Sequence, residues 1–100
     1  MAGQASISTD ILARYAADAA REVEGVRGLA ESSIPGRRGV RVATDDGLVR
    51  VELHLAVEWG ASIPALGRGV QERVRAYLRS MADVDAAVVD VVVDEVVAAT

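Results

Sequence analysis

Leu48-Val-Arg-Val-Glu-Leu-His-Leu-Ala-Val-Glu-Trp-Gly-Ala-Ser-Ile-Pro64 alternates almost without fault until a helix begins. Val49, Val51, Leu53, Leu55, Val57 and Trp59 point one way, and Arg50, Glu52, His54 and Glu58 the other. A period of two over this length predicts a strand with one buried and one wetter face. Gly60 ends it, Ser62 reads as the cap of a helix, and Pro64 suits that helix's first turn.

On the N-terminal side, Asp45-Asp46-Gly47 supplies a turn, with Gly47 free to take positive φ. Before it, Gly39 to Thr44 alternates Val40 and Val42 against Arg41 and Ala43, so the two strands should form a hairpin. Residues Glu31 to Arg38, with Ser32, Ser33, Pro35 and Gly36, read as a loop after a short apolar strand, Val26 to Ala30. A first helix is expected from Ser8 as N-cap to Gly25 as stop, with Ile7 and Leu12 as a hydrophobic staple. Its apolar stripe is Ile11, Leu12, Tyr15, Ala16, Ala19, Ala20 and Val23.

On the C-terminal side, Ile63, Leu66, Val70, Val74, Tyr77, Leu78 and Met81 recur at helical spacing. Val84 to Val97 closes the chain as a strand. Val89, Val91 and Val93 form one of its faces, while Val88 and Val92 stand on the other between Asp90 and Asp94. A strand apolar on both sides is central in its sheet or meets another chain on its outer face. Two amphipathic helices can cover one face of such a sheet. The expected fold is therefore α+β: a two-layer sandwich of two helices on a small mixed sheet of three to four strands. Residues 1–6 are expected to be disordered, and residues 7–97 to form a single domain.

One hundred residues with about half of them apolar suffice for one small core. With three aromatic residues, Val, Ala, Leu and Ile must fill it. There is no cysteine, which excludes disulfides, thiolate metal sites and cysteine nucleophiles. No secretory leader is visible at Met1, and no apolar run approaches the roughly 20 residues of a membrane span. These features give a cytoplasmic expectation. A net charge of −4 argues against broad nucleic-acid affinity, which depends on neutralising phosphates.

Chemistry-bearing residues are few. His54, the single histidine, lies near Glu52 and Glu58, but a zinc site wants three or four ligands and a second nitrogen or sulfur donor is missing. Gly67 and Gly69 lack the third glycine and the Gly-Lys-Ser/Thr of a phosphate loop, and read as close packing within a helix. Asp45 and Asp46 are turn residues, and Asp83, Asp85, Asp90 and Asp94 show no spacing that singles out an acid–base pair. Arg37, Arg38 and Arg41 form a basic cluster without interleaved aromatics for base stacking. Tyr15, Tyr77 and Trp59 read as core or core-rim residues, with Trp59 also suited to anchoring an interface.

Several blocks in order carry a family resemblance. They are Ile7-Ser-Thr-Asp-Ile-Leu12, Val23-Glu-Gly-Val26, Gly39-Val40, Asp46-Gly47, Val51-Glu-Leu-His-Leu-Ala-Val-Glu-Trp-Gly60 with Ser62-Ile-Pro64, Val70-Gln-Glu-Arg-Val74 and Val89-Asp-Val-Val-Val93. In these the chain resembles the alkaline shock protein family of bacterial envelope stress, from Ile7 to about Val97. It departs from the pattern at Trp59, where tyrosine is more usual, and at Asp90, where asparagine is common. The Glu31 to Arg38 loop has no clear counterpart, and the long polar tail of some members is missing.

The resemblance implies a small non-enzymatic cytoplasmic protein, of a kind that in some members is held at the inner face of the membrane, with no catalytic, cofactor or metal residues to transfer. The expected function is an envelope or alkaline stress scaffold or adaptor that works through protein partners, among them a small membrane-anchoring protein, and through homo-oligomers. Membrane contact is then indirect, and no nucleic acid is expected. The partner-binding residues expected are His54, Ala56, Trp59, Val88, Val92, Arg37 and Arg38. The alternative is a cytoplasmic regulator that binds RNA or a lipid-synthesis enzyme complex.

Overall fold

A computed structural model describes residues 8–30 and 39–98. The elements are α1 (Thr9–Arg21), β1 (Val26–Leu29), β2 (Val40–Asp45), β3 (Leu48–Glu58), α2 (Ile63–Ala82) and β4 (Ala86–Val97). The expected disordered terminus, the Ile7 staple and Arg37 and Arg38 lie outside the described residues.

The strand β3 is the centre of the sheet. β4 runs parallel to it and pairs along Val49 to Glu58. β1 and β2 are both antiparallel to β3, β1 against Val57 to Leu55 and β2 against Leu53 to Leu48. Since β4 fills one whole side of β3, β1 and β2 must share the other, end to end. The His54 backbone is their junction: its carbonyl accepts from the Ala30 N–H at 2.8 Å, and its own N–H donates to the Gly39 carbonyl at 2.7 Å. The sheet is thus mixed, with one row broken between β1 and β2; the expected Glu31 to Arg38 loop lies outside the described residues.

The expectation that the last strand could be central is corrected: β3 holds that place, and β4 lies at the edge of the described sheet. The hairpin matches its expectation. Asp46 and Gly47 both have positive φ (51° and 76°), the requirement of a two-residue type I′ turn, and Asp45 faces Leu48 across it.

Both helices lie on the face presented by Val49, Val51, Leu53, Leu55 and Val57. α1 contributes Leu12, Ala16, Ala19 and Ala20, and α2 contributes Leu66, Val70, Val74 and Leu78 at a spacing of four. Small alanines on α1 let that helix sit close to the strands. Tyr15 and Tyr77 meet edge to face, ring centres 5.8 Å apart, and join the two helices at the rim of the core.

Several local expectations shift. α1 stops at Arg21, before Gly25, and a turn through residues 22–25 precedes β1, where Gly25 has φ of 98°. Ser8 caps α1 through its side chain, which accepts from the Ile11 N–H. Ser62 stands at the N-cap of α2 but makes no side-chain cap bond. Ile11, Ile63 and Met81 remain exposed at the ends of their stripes. β4 starts at Ala86, because Asp83 turns left-handed (φ 54°) and the Val84 N–H bonds back to the Leu78 carbonyl, extending the α2 cap.

Candidate interaction surface

Strand periodicity that sends the odd residues of β3 under the helices sends Arg50, Glu52, His54, Ala56 and Glu58 to the opposite face. Register adds Val88 beside Arg50, Asp90 beside Glu52 and Val92 beside His54. A bulge between Leu55 and Ala56 then inserts Asp94 as an extra residue and places Glu95 beside Ala56. No described helix covers this face, which carries a valine pair framed by charges.

His54 sits at its middle. Its Nε2 lies 2.6 Å from Glu52 Oε2 on the same strand, and its Nδ1 lies 2.8 Å from Asp94 Oδ2 on β4. A neutral imidazole has one N–H, so it can donate to one carboxylate at a time. The imidazolium donates to both. The His54 pKa is accordingly raised above 6.5, first by the hydrogen bond to Glu52, against a smaller opposing effect of burial, and further by Asp94. The sequence suggested Glu52 and Glu58 as neighbours. Asp94 replaces Glu58 because the parallel register and its bulge bring residue 94 to the ring.

A raised folded pKa means that the protonated form is favoured by folding. The contribution is complete below the unfolded value of 6.5 and disappears as pH rises through the higher folded value. All three side chains are 31–42% exposed, so solvent screening keeps it under about 1 kcal/mol. Denaturant titrations across that window are expected to show stability falling with rising pH, and His54→Gln to remove that slope. An unchanged slope in the variant would show that the pair contributes nothing.

When protonated, His54 donates from both ring nitrogens and has no lone pair for a metal. Among the described residues no group of three or more His, Cys, Asp or Glu side chains could hold a metal ion. The other acidic candidates separate: Asp45 and Asp46 stay at the turn, while Asp83 and Asp85 pair with Arg79 beyond the helix end. Gly67 and Gly69 lie within α2, and Gly69 faces Val23 at ordinary contact distance.

Ala56, His54, Val88 and Val92 therefore share one face. Trp59 does not belong to the core: it is 77% exposed, which corrects the core reading. It lies one residue past β3, where its N–H still bonds the Val97 carbonyl while its side chain is exposed.

A family model of cell envelope-related function matches residues 1–98. The chain belongs to the alkaline shock protein 23 family. This bears out the resemblance carried by the Val51 to Pro64 block and its companions. Among solved structures, a doubly substituted MamM CTD is similar at TM-score 0.65 and 16% identity, over 86% of this chain and 92% of that one. A singly substituted MamM CTD gives TM-score 0.65 and 16% identity, over 86% and 90%. At this identity the likeness is one of fold, two helices on one side of a sheet. No curated protein matches the chain. Among the described residues no helix is long and apolar enough to cross a membrane.

Proposed function

We propose that this member of the alkaline shock protein 23 family is a non-enzymatic envelope-stress scaffold that docks proteins on its open sheet face. The observation that carries this reading is the uncovered face itself, with Val92 39% exposed beside His54 and Val88 half-buried beside Arg50. Desolvating such a valine pair favours association, and the surrounding charges select the partner. The partners are proteins, including a small membrane-anchored one, together with further copies of the chain. Contact with the membrane is then indirect.

The test is crosslinked capture of the tagged protein from its host with the membrane fraction retained, beside the Val88→Asp/Val92→Asp double variant. The expected result is a membrane protein recovered by the parent and lost by the variant, with a matching loss of oligomer size and of envelope-stress tolerance. Equal recovery and equal tolerance would remove the open face from the function. Recovery of only soluble enzymes or RNA would replace the scaffold by a regulator.

A further inference from the structure

The outer edge of β4 has a direction that follows from the sheet's bonding pattern. His54 turns both its N–H and its C=O toward the broken row, so Leu53 and Leu55 turn theirs toward β4. Val91 and Val93 stand opposite those two residues. In a parallel ladder the residue opposite a bonded one points its own backbone groups away. Val89, opposite Val51, is in the same phase, and its carbonyl accepts from the Gln71 Nε2 at 3.0 Å, from outside the β3–β4 ladder. One turn further along α2, Arg75 Nε approaches the Ala86 carbonyl at 3.5 Å. The helix therefore caps the first half of the edge. Those caps stop at Val89; beyond it Val91 and Val93, and Val96 past the bulge at Asp94, turn outward, and among the described residues nothing caps them.

Charge decides what fits there. Asp90, Asp94 and Glu95 line this part of β4 and all three are exposed. An antiparallel second copy centred on Val92 would set Asp90 against Asp94 in both directions, a repulsive arrangement of the kind that keeps edges from self-pairing. A strand with arginine or lysine alternating with apolar residues would instead place cations beside these carboxylates and apolar side chains beside Val91 and Val93. We propose that the Val91–Val97 edge accepts an extended, basic, alternating segment of a partner protein by strand addition. This rests on the scaffold reading and deepens it with a second docking element.

The probe is a blocked heptapeptide alternating valine and arginine, titrated against the full chain. Its counterpart is methylated on alternate backbone nitrogens, which keeps the charge and removes the strand-pairing N–H groups. Binding is expected to weaken at least about tenfold on methylation, as several hydrogen bonds are lost. Val93→Pro removes an outward N–H that β3 does not use, a tolerated place for proline on an edge strand, and should weaken binding similarly. If that variant does not fold by circular dichroism, the two peptides on the parent chain decide alone. Equal binding of both peptides would reduce the interaction to charge and overturn strand addition, as would no binding at all. A dimer of the parent abolished by Val93→Pro would make a second copy the occupant and overturn the basic-partner proposal. If Val93→Pro retains the membrane partner while the Val88→Asp/Val92→Asp variant loses it, the edge inference falls and the scaffold stands. If no partner is captured while the peptide still binds, the reverse holds.

Discussion

Leu53→Ala is expected to destabilise the domain by about 2–5 kcal/mol, a large share of what a chain of this size has. Leu53 is fully buried on the central strand, with Val40 beside it on one flank and Val91 on the other. Its side chain points into the cluster formed with both helices. Two features make the site resistant to collapse. The backbone at Leu53 is held by ladders on both sides, so the strand cannot sink into the vacated volume. The core also lacks a large aromatic ring that could swing in, since Tyr15 and Tyr77 sit at its rim. The cost therefore contains the lost transfer energy and most of the cavity energy. Denaturant unfolding should show a lower midpoint with the same slope. A loss below about 1 kcal/mol would mean that the core repacks freely and that Leu53 is not its centre.

Gly39→Ala is expected to cost about 2–4 kcal/mol, combining backbone strain with overpacking. Gly39 has φ of 79°, where a side chain is strained in any surroundings. A Cβ there would also come 2.6 Å from the Ala30 carbonyl oxygen, 3.1 Å from the His54 carbonyl oxygen and 3.1 Å from Leu29 Cβ. Two of those three atoms are backbone and cannot rotate aside. Gly47→Ala is the control, because Gly47 has nearly the same φ (76°) with nothing near its missing Cβ. It should lose only the strain, about 1 kcal/mol. Thermal melts of both variants read the difference. Equal losses would show that the crowding at the Ala30–Gly39 junction is relieved without cost.

The periodic signals in this chain were strong and local, and they sufficed for the elements and the two layers. The alternation of Leu48 to Glu58 and the four-residue spacing from Leu66 to Leu78 each define a buried face without knowledge of any partner. What sequence reasoning missed depends on pairing. Valine on both sides of residues 88–93 suggests a central strand, yet centrality was decided by β1 and β2 lining up on one side of β3, which no local pattern reveals. Trp59 continues the inward phase of its strand, but it lies one residue past the end of β3 and is exposed, so phase alone misplaced it. The His54–Asp94 bond spans 40 residues and needs a bulge that alternating valines and aspartates do not announce. The Ser62 cap failed for a simpler reason: residue type gives the position of a cap, and the side-chain rotamer decides whether the bond is made.

The broken row of the sheet has a consequence for how the chain can vary. Residues 30 and 39 are both hydrogen-bonded to the backbone of His54, so whatever joins them starts and ends beside one residue. Each doubling of a flexible connection between such fixed ends adds only about 0.6 kcal/mol of closure entropy. The connection's length is therefore nearly independent of the stability of the sheet beneath it. A short tag or reporter placed between Ala30 and Gly39 is expected to leave the pairing of β1 and β2 with β3 intact, since both flanking residues are held on His54.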